Sequence, residues 1–182
     1  MRAAAASLWL MVGLTQPCKA ITIVNTEVLH NRDKYYVAFE VLVNADSRNV
    51  RRLMTDYAHL NRISGTIIES RILATENDKQ RVGLTIRSCV LFFCKTIKKV
   101  EDVETLENGD IVTIALPQFS DFHYAMEHWR ILDEQTRTRI KYQAELWPSF
   151  YIPPLIGPWL VKSKIRAELK TSATILETLA HP

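Results

Sequence analysis

The chain has 182 residues, 47% of them hydrophobic and 24% charged, enough for one domain with a full core. Setting aside Arg2 and Lys19 in a leader-like start takes 23 basic residues to 21 against 20 acidic ones, a net charge of about +1. Nothing in that balance argues for a nucleic-acid partner, which would want a concentrated positive face, so none is expected.

Residues 1–20 have the layout of a secretory signal peptide. Arg2 supplies the positive start, Ala3 to Leu14 an apolar run, and Cys18-Lys19-Ala20 a small-x-small end, with cleavage expected after Ala20. The run is too short for a bilayer span. Thr15-Gln16-Pro17 ahead of Cys18 lacks the small, apolar pattern of a lipobox, so a plain leader is preferred to a lipid anchor. The mature protein is therefore expected to be soluble and exported, in the periplasm of a Gram-negative bacterium. Residues 21–34 read as either a short extra strand or an arm, and residues 35–182 as a single domain.

From Tyr35 to Val43 the residues alternate, with Tyr35, Val37, Phe39, Val41 and Val43 on one face, as in a half-buried strand. Asn44-Ala45-Asp46-Ser47 then turns the chain, and Asp46 or Ser47 can cap a helix whose buried side is Val50, Leu53, Met54 and Tyr57. A second short helix is expected from Ala58 to Ile63. Period-two patterns resume over 66–74, 82–88, 96–106, 111–116, 122–132 and 138–147, with Glu107-Asn108-Gly109-Asp110 a hairpin signal. Lys95, Lys98 and Lys99 are expected to be exposed on the fourth of the seven strands.

A final helix is predicted over 157–180. Ile165, Leu169, Leu176 and Leu179, with Ser172 and Ala173, form one stripe, while Lys164, Glu168, Lys170 and Glu177 face solvent. Gly157-Pro158 opens it, a proline in the first turn losing no intrahelical bond. The order gives an α+β class: about seven antiparallel strands, two short helices after the first, and a long helix last. A sheet curling around one amphipathic helix encloses a space.

Cys89 and Cys94 would lie roughly 16 Å apart in one continuous strand, beyond the ~7 Å limit for a bridge. A disulfide between them therefore requires a turn at 90–93. Two free thiols are the alternative; export favours the bridge, worth about 2 kcal/mol for so small a loop.

No nucleophile elbow, zincin motif, C-x-x-C pair or phosphate-cradling glycine loop occurs, so no catalytic residue, metal or cofactor is assigned. His123 and His128 are the acid–base candidates, and five apart they should face opposite ways on a regular strand. Glu127 and Glu145 are candidate acids. The binding assignment uses more residues. Tyr124, Met126 and His128 share one face of their strand, and Ile140, Tyr142, Ala144 and Leu146 one face of the next. With Ile165, Leu169, Ala173 and Leu176 they would line an apolar pocket with a few polar tips; the alternative is that they fill a solid core. Leu91, Phe92, Phe93, Phe119, Trp147, Phe150, Tyr151 and Trp159 gather at strand ends and in the proline-rich connection. They are expected to form a pocket rim or a transient membrane-surface contact, since apolar turn residues call for a partner.

Several stretches carry a family resemblance. Val43-Asn44-Ala45-Asp46 followed by 50–57, which ends in Asp56-Tyr57, is similar to a strand-to-helix signature of the START-like, or SRPBCC, superfamily. Ser120-Asp121-Phe122 resembles its glycine-aspartate-phenylalanine, with serine in place of glycine. Trp129-Arg130-Ile131 resembles its tryptophan-arginine-leucine strand. Residues 136–142 and Pro148 to Pro154 resemble the penultimate strand and proline-rich lead into the last helix. Within the superfamily the chain is most similar to the polyketide cyclase/dehydrase and coenzyme-Q-binding branch, over residues 35–180. The resemblance implies a helix-grip fold, a curved sheet wrapped around the C-terminal helix with a cavity beneath it. It implies an exported carrier of a lipid, isoprenoid or quinone-like molecule. The alternatives are a cyclase, dehydrase or hydrolase of hydrophobic substrates, or a protein-interaction module of the kind found among ribosome-associated toxin relatives.

Overall fold

The computed structural model describes residues 21–77, 79–90, 93–152 and 157–181. The leader assigned to 1–20, and Leu91 and Phe92 of the expected rim, lie outside them. Eight antiparallel strands form one sheet: β1 Thr22–Asn31, β2 Lys34–Val43, β3 Ile67–Glu76, β4 Lys79–Val90, β5 Phe93–Thr105, β6 Ile111–Ala115, β7 Phe122–Glu134 and β8 Arg137–Pro148. Their spatial order is β1-β2-β8-β7-β6-β5-β4-β3. The stretch at 21–34 thus contributes an edge strand, β1, turning into β2 at Arg32-Asp33, and raises the count from seven to eight.

Period-two alternation does the work anticipated for it. Tyr35, Val37, Phe39, Val41 and Val43 of β2 are buried, opposite Leu146, Ala144, Tyr142, Ile140 and Thr138 of β8. Register shifts between Ile23 and Asn25, Ile67 and Glu69, Ile72 and Ala74, and Phe122 and Tyr124 mark bulges, which bend strands and add twist. The result is a curved sheet with one filled, concave face.

Helix α1, Ser47–Met54, starts where Asp46 accepts a hydrogen bond from the Arg48 N–H at 2.9 Å. It buries Val50, Leu53 and Met54. The expected second helix is a single 3-10 turn, Leu60–Arg62. Helix α2, Gly157–Ala180, runs 24 residues and packs against β1, β2, β4 and α1.

Two solvent assignments on α2 are corrected. Glu177 is only 7% exposed and accepts from the Asn44 backbone N–H at 2.8 Å, tying the helix to the β2–α1 turn. Glu168 accepts from Ser64 Oγ at 2.9 Å and from the Gly65 N–H at 3.0 Å. Conversely Leu179 is exposed and Ala180 is buried. The helix lies rotated from its apolar stripe because loop N–H groups need acceptors, and these two carboxylates supply them.

The α2 interface is uneven along its length. Ala173, Leu176, Glu177 and Ala180 are buried, whereas nothing between Gly157 and Ser172 is fully buried. Its C-terminal half closes a packed core. Its N-terminal half meets the core only through half-buried Val161, Ile165 and Leu169.

Candidate ligand cavity

Beneath that N-terminal half lies a hollow of about 530 Å³. Val161, Lys164 and Ile165 of α2 form one wall, and Ser88 and Val90 of β4 with residues 93–97 of β5 form another. Phe122, Leu146 and Tyr35 contribute the sheet side, and Pro148, Phe150, Tyr151 and Ile152 a strap across it. The surface is largely apolar, with Lys95 and Lys164 as cationic points. Its volume is in the range of small-molecule sites.

The hairpin wall is stapled. Cys89 and Cys94 face one another across β4 and β5, with Cα atoms 4.0 Å apart, and are joined as a disulfide. The two cysteines thus stand on antiparallel strands, not along one continuous strand. On the strap, Phe150 meets Phe122 edge to face at 6.4 Å, and the Lys95 ammonium sits 5.0 Å from the Phe150 ring centre.

Of the residues expected to line a pocket, Leu146 and Ile165 do so. Ile140, Tyr142, Ala173 and Leu176 instead fill solid core, and Leu169 packs against it. Tyr124, Met126 and His128 are corrected: they point to the opposite, convex face. The bulge at His123 is the physical reason, because one inserted residue flips every later side chain. Ala125, Glu127, Trp129 and Ile131 therefore face inward, opposite Leu146, Ala144, Tyr142 and Ile140. His128 Nε2 instead lies 2.8 Å from Asp110 Oδ2, which also accepts from Arg130.

Of the expected rim, Phe93, Phe150 and Tyr151 line the hollow. Trp159 and Phe119 are exposed and stand outside its lining. Trp147 lies outside it as well, against the His123 ring at 5.0 Å and under the Lys34 ammonium at 5.2 Å.

One layer deeper is a polar cluster that composition conceals. Ile97 lines the hollow, and two residues further along the same face, about 7 Å, stands Lys99. Expected at the surface, Lys99 is 4% exposed. Its ammonium lies 2.6 Å from Glu101 Oε2 and donates to Glu127, beside Thr113 and Tyr142. Burial alone would lower the Lys99 pKa, but the two carboxylates outweigh it and hold it above the ordinary lysine value. Burial raises the Glu101 pKa, Lys99 opposing and Glu127 adding to the rise. Tyr142 is pushed well above an ordinary phenol by burial and by both carboxylates, with Trp129 stacked on it at 4.0 Å.

No family model and no curated protein matches the chain. Solved structures do. The chain resembles the Zhui aromatase/cyclase from Streptomyces sp. R1128 with a TM-score of 0.66 and 13% identity, over 81% of this chain and 93% of that one. A START superfamily protein from Mycobacterium smegmatis gives 0.64 and 19%, over 80% and 96%. A STAR-related lipid transfer protein from Xanthomonas axonopodis gives 0.56 and 14%, over 83% and 98%. The structural neighbours thus include a START superfamily protein, a STAR-related lipid transfer protein and an aromatase/cyclase, and the fold is the START-like helix-grip.

Proposed function

We propose that this protein is an exported carrier that holds a lipid, isoprenoid or quinone-like molecule beneath the N-terminal half of α2. The observation that carries the reading is the apolar hollow of about 530 Å³ under a helix half in which no residue is fully buried. Each buried methylene of a hydrocarbon tail gains about 0.8 kcal/mol, so a lined hollow is what a carrier needs. Similarity to a STAR-related lipid transfer protein supports the same reading. The Cys89–Cys94 bridge supports an oxidising compartment. Tyr151 and Trp159, 76% and 70% exposed, are suited to touching a membrane during loading, with Lys164 favouring an anionic surface. Purification followed by solvent extraction and mass spectrometry tests the carrier. Recovery of a stoichiometric lipid is expected, whereas no co-purifying lipid together with no uptake of lipid probes would sink it. Locating the protein with and without residues 1–20 tests export.

A second reading, an enzyme on a hydrophobic substrate, is favoured by the buried Lys99 and Glu101 with half-buried Glu127 one layer behind the hollow. Ligands extracted from wild type and from Glu127→Gln separate the two. A chemically converted ligand in wild type alone favours catalysis, and identical ligands favour carriage.

A further inference from the structure

A second hollow, of about 460 Å³, adjoins the first. Both are lined by Tyr35 and by the strap residues Pro148, Phe150, Tyr151 and Ile152, so the strap is their common wall. The chemistry on its two sides differs. The first hollow is bounded mostly by hydrocarbon. The second presents Arg32, His30 and His123 together with one carboxylate, Asp33.

These cationic and imidazole groups are not consumed by the fold. Arg32 sits at the β1–β2 turn with a φ of 54° and, among the described residues, makes no hydrogen bond or ion pair, Asp33 included. The His30 ring leans on Tyr35 at 4.7 Å and His123 leans on Trp147 at 5.0 Å. Those ring contacts set the imidazoles against the wall. Lys34, next in sequence, is by contrast held by Glu145 at 2.8 Å.

We propose that the second hollow is the headgroup site of a single-tailed anionic amphiphile. Its carboxylate or phosphate would be bound by the Arg32 guanidinium and the two imidazoles while its hydrocarbon tail lies in the first hollow. This deepens the carrier reading and rests on it. An anion drawn into the apolar hollow would lose its hydration uncompensated. Across the strap it meets a planar guanidinium with donors in the fork geometry that suits carboxylate and phosphate. Lys164, on the helix flank of the apolar hollow, is the competing anchor, since the other cation there, Lys95, is seated on the Phe150 ring.

The test uses the whole protein with a fluorescent straight-chain carboxylate and its methyl ester as probes. Wild type is expected to bind the carboxylate more tightly than the ester. Arg32→Gln is expected to weaken the carboxylate by roughly fivefold, as for an exposed charge-assisted hydrogen bond, and to leave the ester unchanged. Lys164→Gln should leave the preference for the carboxylate over the ester in place. Equal binding of both probes by wild type, or a preference abolished by Lys164→Gln and untouched by Arg32→Gln, overturns the assignment while leaving the carrier intact. Failure of both probes to bind removes the carrier reading and this inference with it. Inorganic phosphate distinguishes the sources of the anion. Displacement of the carboxylate alone identifies a site open to free phosphate as well as to a headgroup, and no displacement identifies a lipid-borne headgroup; both agree with the proposal. Displacement of both probes contradicts separate head and tail compartments.

Discussion

Lys99 Nζ stands 2.6 Å from Glu101 Oε2, two neighbours on the inward face of one strand that are both 4% exposed. A lysine and a glutamate at that depth persist only because each neutralises the other, and Glu127 shares the same ammonium.

Removing the cation should therefore cost more than removing one anion. Lys99→Met leaves two buried carboxylates with no counter-ion and should destabilise by about 3–5 kcal/mol. Glu101→Gln keeps the shape and should cost clearly less. Urea unfolding of the two variants checks the ranking.

The same cluster predicts a pH dependence. The Glu101 pKa lies above 4.5 in the folded protein, so its contribution is complete below that value and is lost as pH rises through the folded pKa. Wild type should lose stability relative to Glu101→Gln as pH is raised from about 4.5 toward neutrality. Urea midpoints across that window measure it; a relative gain would contradict the assignment.

Glu177 serves as the acceptor for the Asn44 N–H, so Glu177→Ala should destabilise by about 1–3 kcal/mol. Glu177→Gln retains an acceptor oxygen and should recover part of that loss. Thermal or chemical denaturation resolves the pair.

Filling α2 at two heights contrasts its two halves. Ile165→Phe points into the hollow and should leave stability nearly unchanged while reducing uptake of a lipid probe. Ala173→Phe enters packed core and should destabilise by about 1–3 kcal/mol or more. Similar destabilisation by both would mean that the N-terminal half is packed as tightly as the C-terminal half.

The Cys89–Cys94 bridge closes a short loop, so Cys89→Ser with Cys94→Ser should lower stability by about 2 kcal/mol. The larger expected effect is on the hollow, since the stapled ends of β4 and β5 form one of its walls. Probe release on adding a thiol reductant to wild type, and none from the double variant, is the measurement.

Much of the architecture was legible in the residues. Alternation in Tyr35 to Val43, the Asp46 cap, the Gly157-Pro158 start and the cysteine spacing depend on interactions within a few positions, and each element formed where those signals lay. The pocket face of β7 was misread because a bulge at His123 leaves no mark in a pattern of apolar and polar residues. Lys99 was misread for a related reason. Ile97, Val100 and Val103 break strict alternation, and only Glu101 beside it and Glu127 on β7 make an inward lysine tolerable.

The order of strands and helices, the curvature-prone sheet and the amphipathic last helix were determined by local periodicity, because a side chain's direction follows from its place along its own strand or helix. Where the hollow lies was decided only by the assembled molecule. Glu168 and Glu177 rotate α2 onto loop N–H groups, the bulge resets which β7 residues face inward, and small Ala173 and Ala180 bury one half of the helix while the other half is only half-buried. Those outcomes depend on partners more than a hundred residues distant, as between Asn44 and Glu177, and no reading of neighbouring residues contains them.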